Sequence, residues 1–117
     1  MTTPTAHPPP GPVRDILLAA ADLLDRPGAW CRGQYARDRR GQATSPYAED
    51  AVSWCATGAL MRVSREADVQ DCRATRARLD ETLFLAGHVP DISFWNDACT
   101  IRDEVVEMLR RAAEEEA

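Results

Sequence analysis

Apolar residues return at helical spacing in separate stretches of the chain. Val13, Ile16, Leu17, Ala20 and Leu24 recur at i, i+3, i+4 and i+7, the stripe of an amphipathic helix. Pro12 stands where a first-turn proline is tolerated, and Arg26-Pro27-Gly28 stops the ladder, so a first helix is expected over about 12 to 25. Ser45-Pro46 reads as an N-cap followed by a first-turn proline, after which Val52, Cys55, Ala56, Ala59, Leu60 and Val63 share a face. That predicts a second helix over about 46 to 63. Gly58, among its small residues, would let another backbone approach closely, which makes this the expected central helix. No Gly or Pro interrupts 66 to 86, where Val69, Cys72, Leu79, Leu83 and Ala86 form a third stripe with Asp80 on its solvent side. Ile101, Val105, Met108, Leu109 and Ala112 give the last stripe, with Thr100 as cap and Asp103 and Glu104 in its positive first turn.

The intervals are less regular. Residues 29 to 45 lose the periodicity and carry Gly33, Gly41 and Asp38-Arg39-Arg40, as in an irregular loop or short hairpin. His88 to Cys99 crowds Val89, Ile92, Phe94 and Trp95 around Pro90, a connection expected to fold down onto the core. Residues 1 to 11 are rich in Pro and Thr with almost nothing apolar, so a disordered tail is expected there. The pattern predicts a mainly α protein: one small domain over 12 to 117 of about four helices, with an irregular or short hairpin insertion between helices one and two.

Composition narrows the function classes. A chain of 117 residues and 12.9 kDa has room for one core and not two. No apolar run approaches the roughly 20 residues that span a bilayer, and no export signal is legible, so a cytoplasmic protein without a membrane partner is expected. Fourteen Arg, no Lys and nineteen Asp plus Glu give a formal charge of -5, which argues against direct nucleic-acid binding. Arg in place of every Lys, with nineteen Ala, reads as the coding bias of a GC-rich bacterial genome. Cys31, Cys55, Cys72 and Cys99 lie 24, 17 and 27 residues apart, with no C-x-x-C pair, and His7 and His88 are the only histidines. No metal, no cofactor and no disulfide is expected; the cysteines read as free thiols.

Several short motifs go together: Ala20-Ala21-Asp22-Leu23-Leu24, Gly28-Ala29-Trp30, Ala36-Arg37-Asp38, Ala51-Val52-x-Trp54-Cys55-x-x-Gly58-Ala59-Leu60, Trp95-Asn96-Asp97 and Glu104-Val105. The combination resembles a family of small uncharacterised proteins from actinobacteria and their phages, over roughly residues 13 to 113. The resemblance implies no activity, substrate or catalytic residue. Two places depart from the family pattern: Cys31 stands where a hydroxyl residue is expected, and Ala98-Cys99-Thr100-Ile101 replaces a Pro-Gly turn.

Trp30, Trp54 and Trp95 each stand beside a polar or reactive neighbour, namely Cys31, Cys55 and Asn96-Asp97. Indoles bury much area for one hydrogen bond, so core anchors are the plain reading. The functional one is a pocket with indole walls and Arg37, Asp38 and Asp97 as its polar groups. Cys55, His88 and Asn96 or Asp97 follow the chain order of nucleophile, base and orienting group. Helical phase, however, places Cys55 in mid-helix, where no helix end would lower its pKa, and favours a buried thiol. Asn96 and Asp97 also suit a turn, their side chains bonding nearby backbone. Arg37-Asp38-Arg39-Arg40 is a local basic patch suited to phosphate or carboxylate, or simply a solvated loop tip. The expectation is an intracellular binding or regulatory module for a small molecule or protein partner. The alternative is a small enzyme using Cys55 or Asp97 in a Trp-lined pocket; a second is an acidic phage-type inhibitor or nucleic-acid mimic.

Overall fold

Leu17, Ala20, Ala21 and Leu24 lose all solvent contact along one face of α1 (Pro12–Leu24), the stripe that the apolar spacing predicts. The computed structural model describes residues 11–114. After α1 the chain forms β1 (Ala36–Arg37) and β2 (Ser53–Trp54), then α2 (Ala56–Val63), α3 (Val69–Leu85), α4 (Ile92–Ala98) and α5 (Arg102–Glu114). The protein is mainly helical, with five helices where four were expected, and a small two-stranded sheet. The tail expected over 1 to 11 lies outside the described residues except for Gly11, the N-cap of α1.

The core is organised around α1, not α2. Against it packs α5, whose Val105, Leu109 and Ala112 are fully buried, and α2 and α3 also touch it. Arg110 of α5 reaches Asp22 of α1 and Asp25, its C-cap, at 3.4 and 3.2 Å, exposed contacts that solvent screens. On α3, Leu79 and Leu83 point inward as expected, but Val69 stands out at 63% exposure. Thr75 and Thr82 fill the rest of the inner face, and their hydroxyls donate to Asp71 O and Arg78 O one turn back.

The helix expected over 46 to 63 is half its length. Ser45 accepts the N–H of Tyr47 in a turn, and the chain enters β2 before turning helical at Ala56. Trp54 explains this: its N–H donates to Ala29 O at 2.7 Å, its carbonyl accepts from Cys31 N, and Ala36 pairs with it across the sheet. Its indole also donates to Pro46 O. Those partners come from distant sequence, and a helix would forfeit them. Val52, counted on the helical stripe, is 39% exposed.

The connection from 88 to 99 contains a helix. Asp91 accepts the N–H of Phe94 and starts α4, which buries Ile92, Trp95 and Asn96 and leaves Phe94 and Val89 in solvent. Ile101, expected on the inner face of the last helix, precedes α5 and is 55% exposed. Glu104 reaches back instead: its Oε1 accepts from Thr100 N at 2.9 Å and Ile101 N at 3.3 Å.

Cys99 closes α4 and is buried; burial first and Glu104 second push its thiol up to about 11, against an opposing pull from Arg32. The unfolded chain releases this proton near 9.0, the usual thiol value, so the unfolded state gains from deprotonation earlier. The contribution is complete below pH 9 and lost as pH rises through the folded value. Urea midpoints are expected to decline from pH 9 to 11, and to decline less in Cys99→Ala.

Candidate functional site

Asn96 has no solvent exposure and uses all four of its hydrogen-bonding positions. Its Oδ1 accepts from Trp30 Nε1 at 2.8 Å and Ala56 N at 2.9 Å; its Nδ2 donates to Cys31 O at 3.2 Å and Asp97 Oδ1 at 3.1 Å. One amide therefore joins the 30–31 segment, the first turn of α2 and α4. Asp97 adds a further tie, accepting the N–H of Gly33 at 2.9 Å. Asn96 is thus a junction inside the protein and not a surface for a ligand, nor the turn residue its neighbours suggest.

The three tryptophans do not wall one pocket. Trp54 is buried on its Pro46 bond, and the Arg62 guanidinium lies 5.2 Å from its ring while donating to the Pro46 and Ala48 carbonyls. Trp30 is half-buried on Asn96 with Arg32 5.8 Å from its ring. Trp95 faces the opposite side of α4, its ring 6.5 Å from His88. Arg37 is occupied by backbone, donating to Gly41 O and Arg32 O. Asp38 closes a turn by accepting from Arg40 N and Gln42 N.

Cys55 is the N-cap of α2, not a mid-helix residue, because β2 occupies the positions before it. Its sulfur accepts the N–H of Gly58 at 3.3 Å. Burial raises the thiol nonetheless, the Gly58 contact only partly offsetting it, and Cys31 is raised by burial in the same way. Both hold the protonated, weakly nucleophilic form at neutral pH. His88 lies in a different cavity from Cys55, and Asn96 is fully bonded, so the three groups in triad order do not assemble.

Cys55 and Asp97 do meet at a cavity of about 240 Å³, lined also by Gly33, Gln34, Tyr35 and Ser93. A family model described as a family of unknown function, DUF6197, matches residues 8–115. The chain belongs to this family. No curated protein and no solved structure matches it.

The DUF6197 match takes in all five helices and every residue of the Asn96 junction, so junction and cavity belong to the family's domain. A second cavity, about 310 Å³, shares Tyr35 and Ser93 with the first and continues to Asp80, Asp91 and Arg76. Asp80, expected in solvent, is half-buried there with its Oδ1 enclosed and unbonded. Burial first and Asp91 second raise its carboxyl above the ordinary range, with Arg76 opposing. Tyr35 and Ser93 escape the sequence reading because neither belongs to a motif; 52% exposure of Tyr35 in a loop becomes visible only in the fold. Among the described residues no three His, Cys, Asp or Glu side chains come together as a metal site requires. No helix among them is long and apolar enough to cross a membrane.

Proposed function

We propose that the protein is a binding module and that its partner lies in the groove running from Asp97 past Tyr35 and Ser93 to Asp80 and Asp91. One observation carries this reading: two contiguous cavities share Tyr35 and Ser93 and have carboxylates at both ends. At the α2 end the Ala56 and Gly58 N–H groups already have side-chain acceptors, so apart from the Arg76 guanidinium at the far end, outnumbered by the carboxylates of Asp80, Asp91 and Asp97, the groove offers few donors to an anion. It offers acceptors instead, and an exposed aromatic ring midway. Such a groove suits an extended segment with basic side chains, from a partner protein. Asp97, Ser93 and Tyr35 make the contacts; Asn96 holds Asp97 in place. A regulatory role, a cytoplasmic setting and an actinobacterial or phage source belong to the same proposal, supported by the acidic Arg-only composition and the motifs.

An enzyme using Cys55 is less well supported, since the thiol is raised and has no histidine beside it. Titrating an arginine-containing hexapeptide, with a glutamate-containing one as control, tests the binding reading by amide shifts in nuclear magnetic resonance. Shifts are expected at Gly33 to Tyr35, Ser93 and Asp97 for the basic peptide alone. They should weaken about threefold to tenfold in the double variant Asp80→Asn, Asp97→Asn, and remain in Glu81→Gln, whose carboxylate is on the exposed side of α3. Equal response to both peptides, or shifts elsewhere, would refute it.

A further inference from the structure

On the opposite side of α4 lies a cavity of about 480 Å³, twice the volume of the one beside Cys55. We propose that it is a small-molecule site for an organic amine, a ligand with a cationic nitrogen on an aromatic or aliphatic body. Its volume falls in the ordinary range of ligand pockets, about 300 to 1,000 Å³. The inner wall is apolar and polarizable, made of Trp95, Cys99 and Met108. An indole is the ring that best attracts a cation, and a thioether adapts to the shape of an apolar body.

The polar wall comes from one helix. Glu104, Glu107, Met108 and Arg111 stand at i, i+3, i+4 and i+7 on α5, so a single face of that helix lines the cavity. Two carboxylates against one guanidinium leave that wall negative. Glu104 is held in place through the Thr100 and Ile101 N–H groups, which keep its carboxyl below the ordinary range and its charge fixed. Only its Oε1 is engaged, which leaves Oε2 for a ligand. His88 borders the cavity from the 88–90 turn.

The site is distinct from the groove of the proposed function. Trp95 and Asp97 are two residues apart on α4, about 200° around a helix, so they serve opposite sides. Trp95 lines this cavity alone among the three indoles, while Trp30 and Trp54 are engaged elsewhere by Asn96 and Pro46.

That difference supplies the readout. Phenethylamine, phenylpropionate and phenethyl alcohol share one ring and differ in charge, and their titration can be followed by the indole N–H resonances. The amine is expected to shift the Trp95 signal and the amides of Ala98 and Met108, leaving Trp30 and Trp54 unmoved. The alcohol should bind several times more weakly and the acid more weakly still. Glu107→Gln should cost the amine about threefold to fivefold, the size of one solvent-exposed charge pair, and Arg111→Gln should tighten it. Both residues are exposed and neither makes a hydrogen bond or ion pair among the described residues, so both variants should fold, with unchanged melting temperatures as the control. Equal or tighter binding of the acid overturns the proposal, as does an amine response confined to Trp30, Trp54 or the groove residues, or no response at millimolar probe.

Discussion

Gly58→Ala is expected to lower the melting temperature by about 8 °C or more, at roughly 4 °C per kcal/mol for a domain of this size. Helix propensity argues the other way, since alanine inside a helix is better than glycine by about 1 kcal/mol. Space decides the sign. A Cβ on Gly58 would overlap the Tyr35 carbonyl oxygen and lie 2.8 Å from its carbonyl carbon. Tyr35 cannot move away cheaply, because the same carbonyl accepts the Cys55 N–H and the next residue, Ala36, is paired in the sheet. Overpacking against backbone costs about 3 kcal/mol or more, which exceeds the propensity gain. The fall should be larger in Gly58→Leu. Gly41→Ala provides the contrast: open space surrounds that site, and only its positive φ of 81° resists, at about 1 kcal/mol. A Gly58→Ala protein as stable as the parent would mean that Tyr35 does not lie against α2.

Asn96→Leu should be about as damaging. The side chain keeps the same branched outline with four heavy atoms, so the change removes the polar groups with some added bulk from the two methyls. Trp30 Nε1 and Ala56 N lose their acceptor and Cys31 O a donor, at about 1 to 3 kcal/mol for each group left buried without a partner. A total of about 3 kcal/mol or more follows, read from urea unfolding, with loss of near-ultraviolet dichroism from Trp30. Asn96→Asp should restore only part: it keeps the acceptor but loses both donors and sets a second carboxylate beside Asp97. A loss under 1 kcal/mol in Asn96→Leu would show that the junction contributes little to stability.

Much of the fold is legible in the sequence where a helix is long and packs by its own period. The stripe of α1 and the inner positions of α5 from Val105 onward are examples. The reading fails where distant partners decide. Val52 to Val63 keep helical phase, yet Trp54 is drawn into a strand by Ala29, Cys31 and Ala36, and that pairing moves Cys55 from mid-helix to a cap. At seven residues, α4 is too short for periodicity, although Asp91 three positions before Phe94 carries its start signal. On α3 the inner face uses threonines, whose hydroxyls are satisfied one turn back and so can be buried, a case that a count of apolar residues omits. The site was partly legible. Cys55 and Asp97 do share a cavity, but Asn96 and the tryptophans are its frame, while Tyr35, Ser93 and Asp80 gain their places only when loop, α3 and α4 come together.

The packing of α1 against α5 governs how this chain can be made. During synthesis α1, with Leu17, Ala20 and Leu24 on its buried face, leaves the ribosome well before α5, the helix it packs against most. Contacts this distant in sequence form late, and until α5 is free the early helix has no partner for much of its apolar face. The core therefore stays unsealed until α5 has been made. A product ending before Arg102 would expose that face permanently, so premature termination should yield material for chaperones and proteases instead of a smaller working domain.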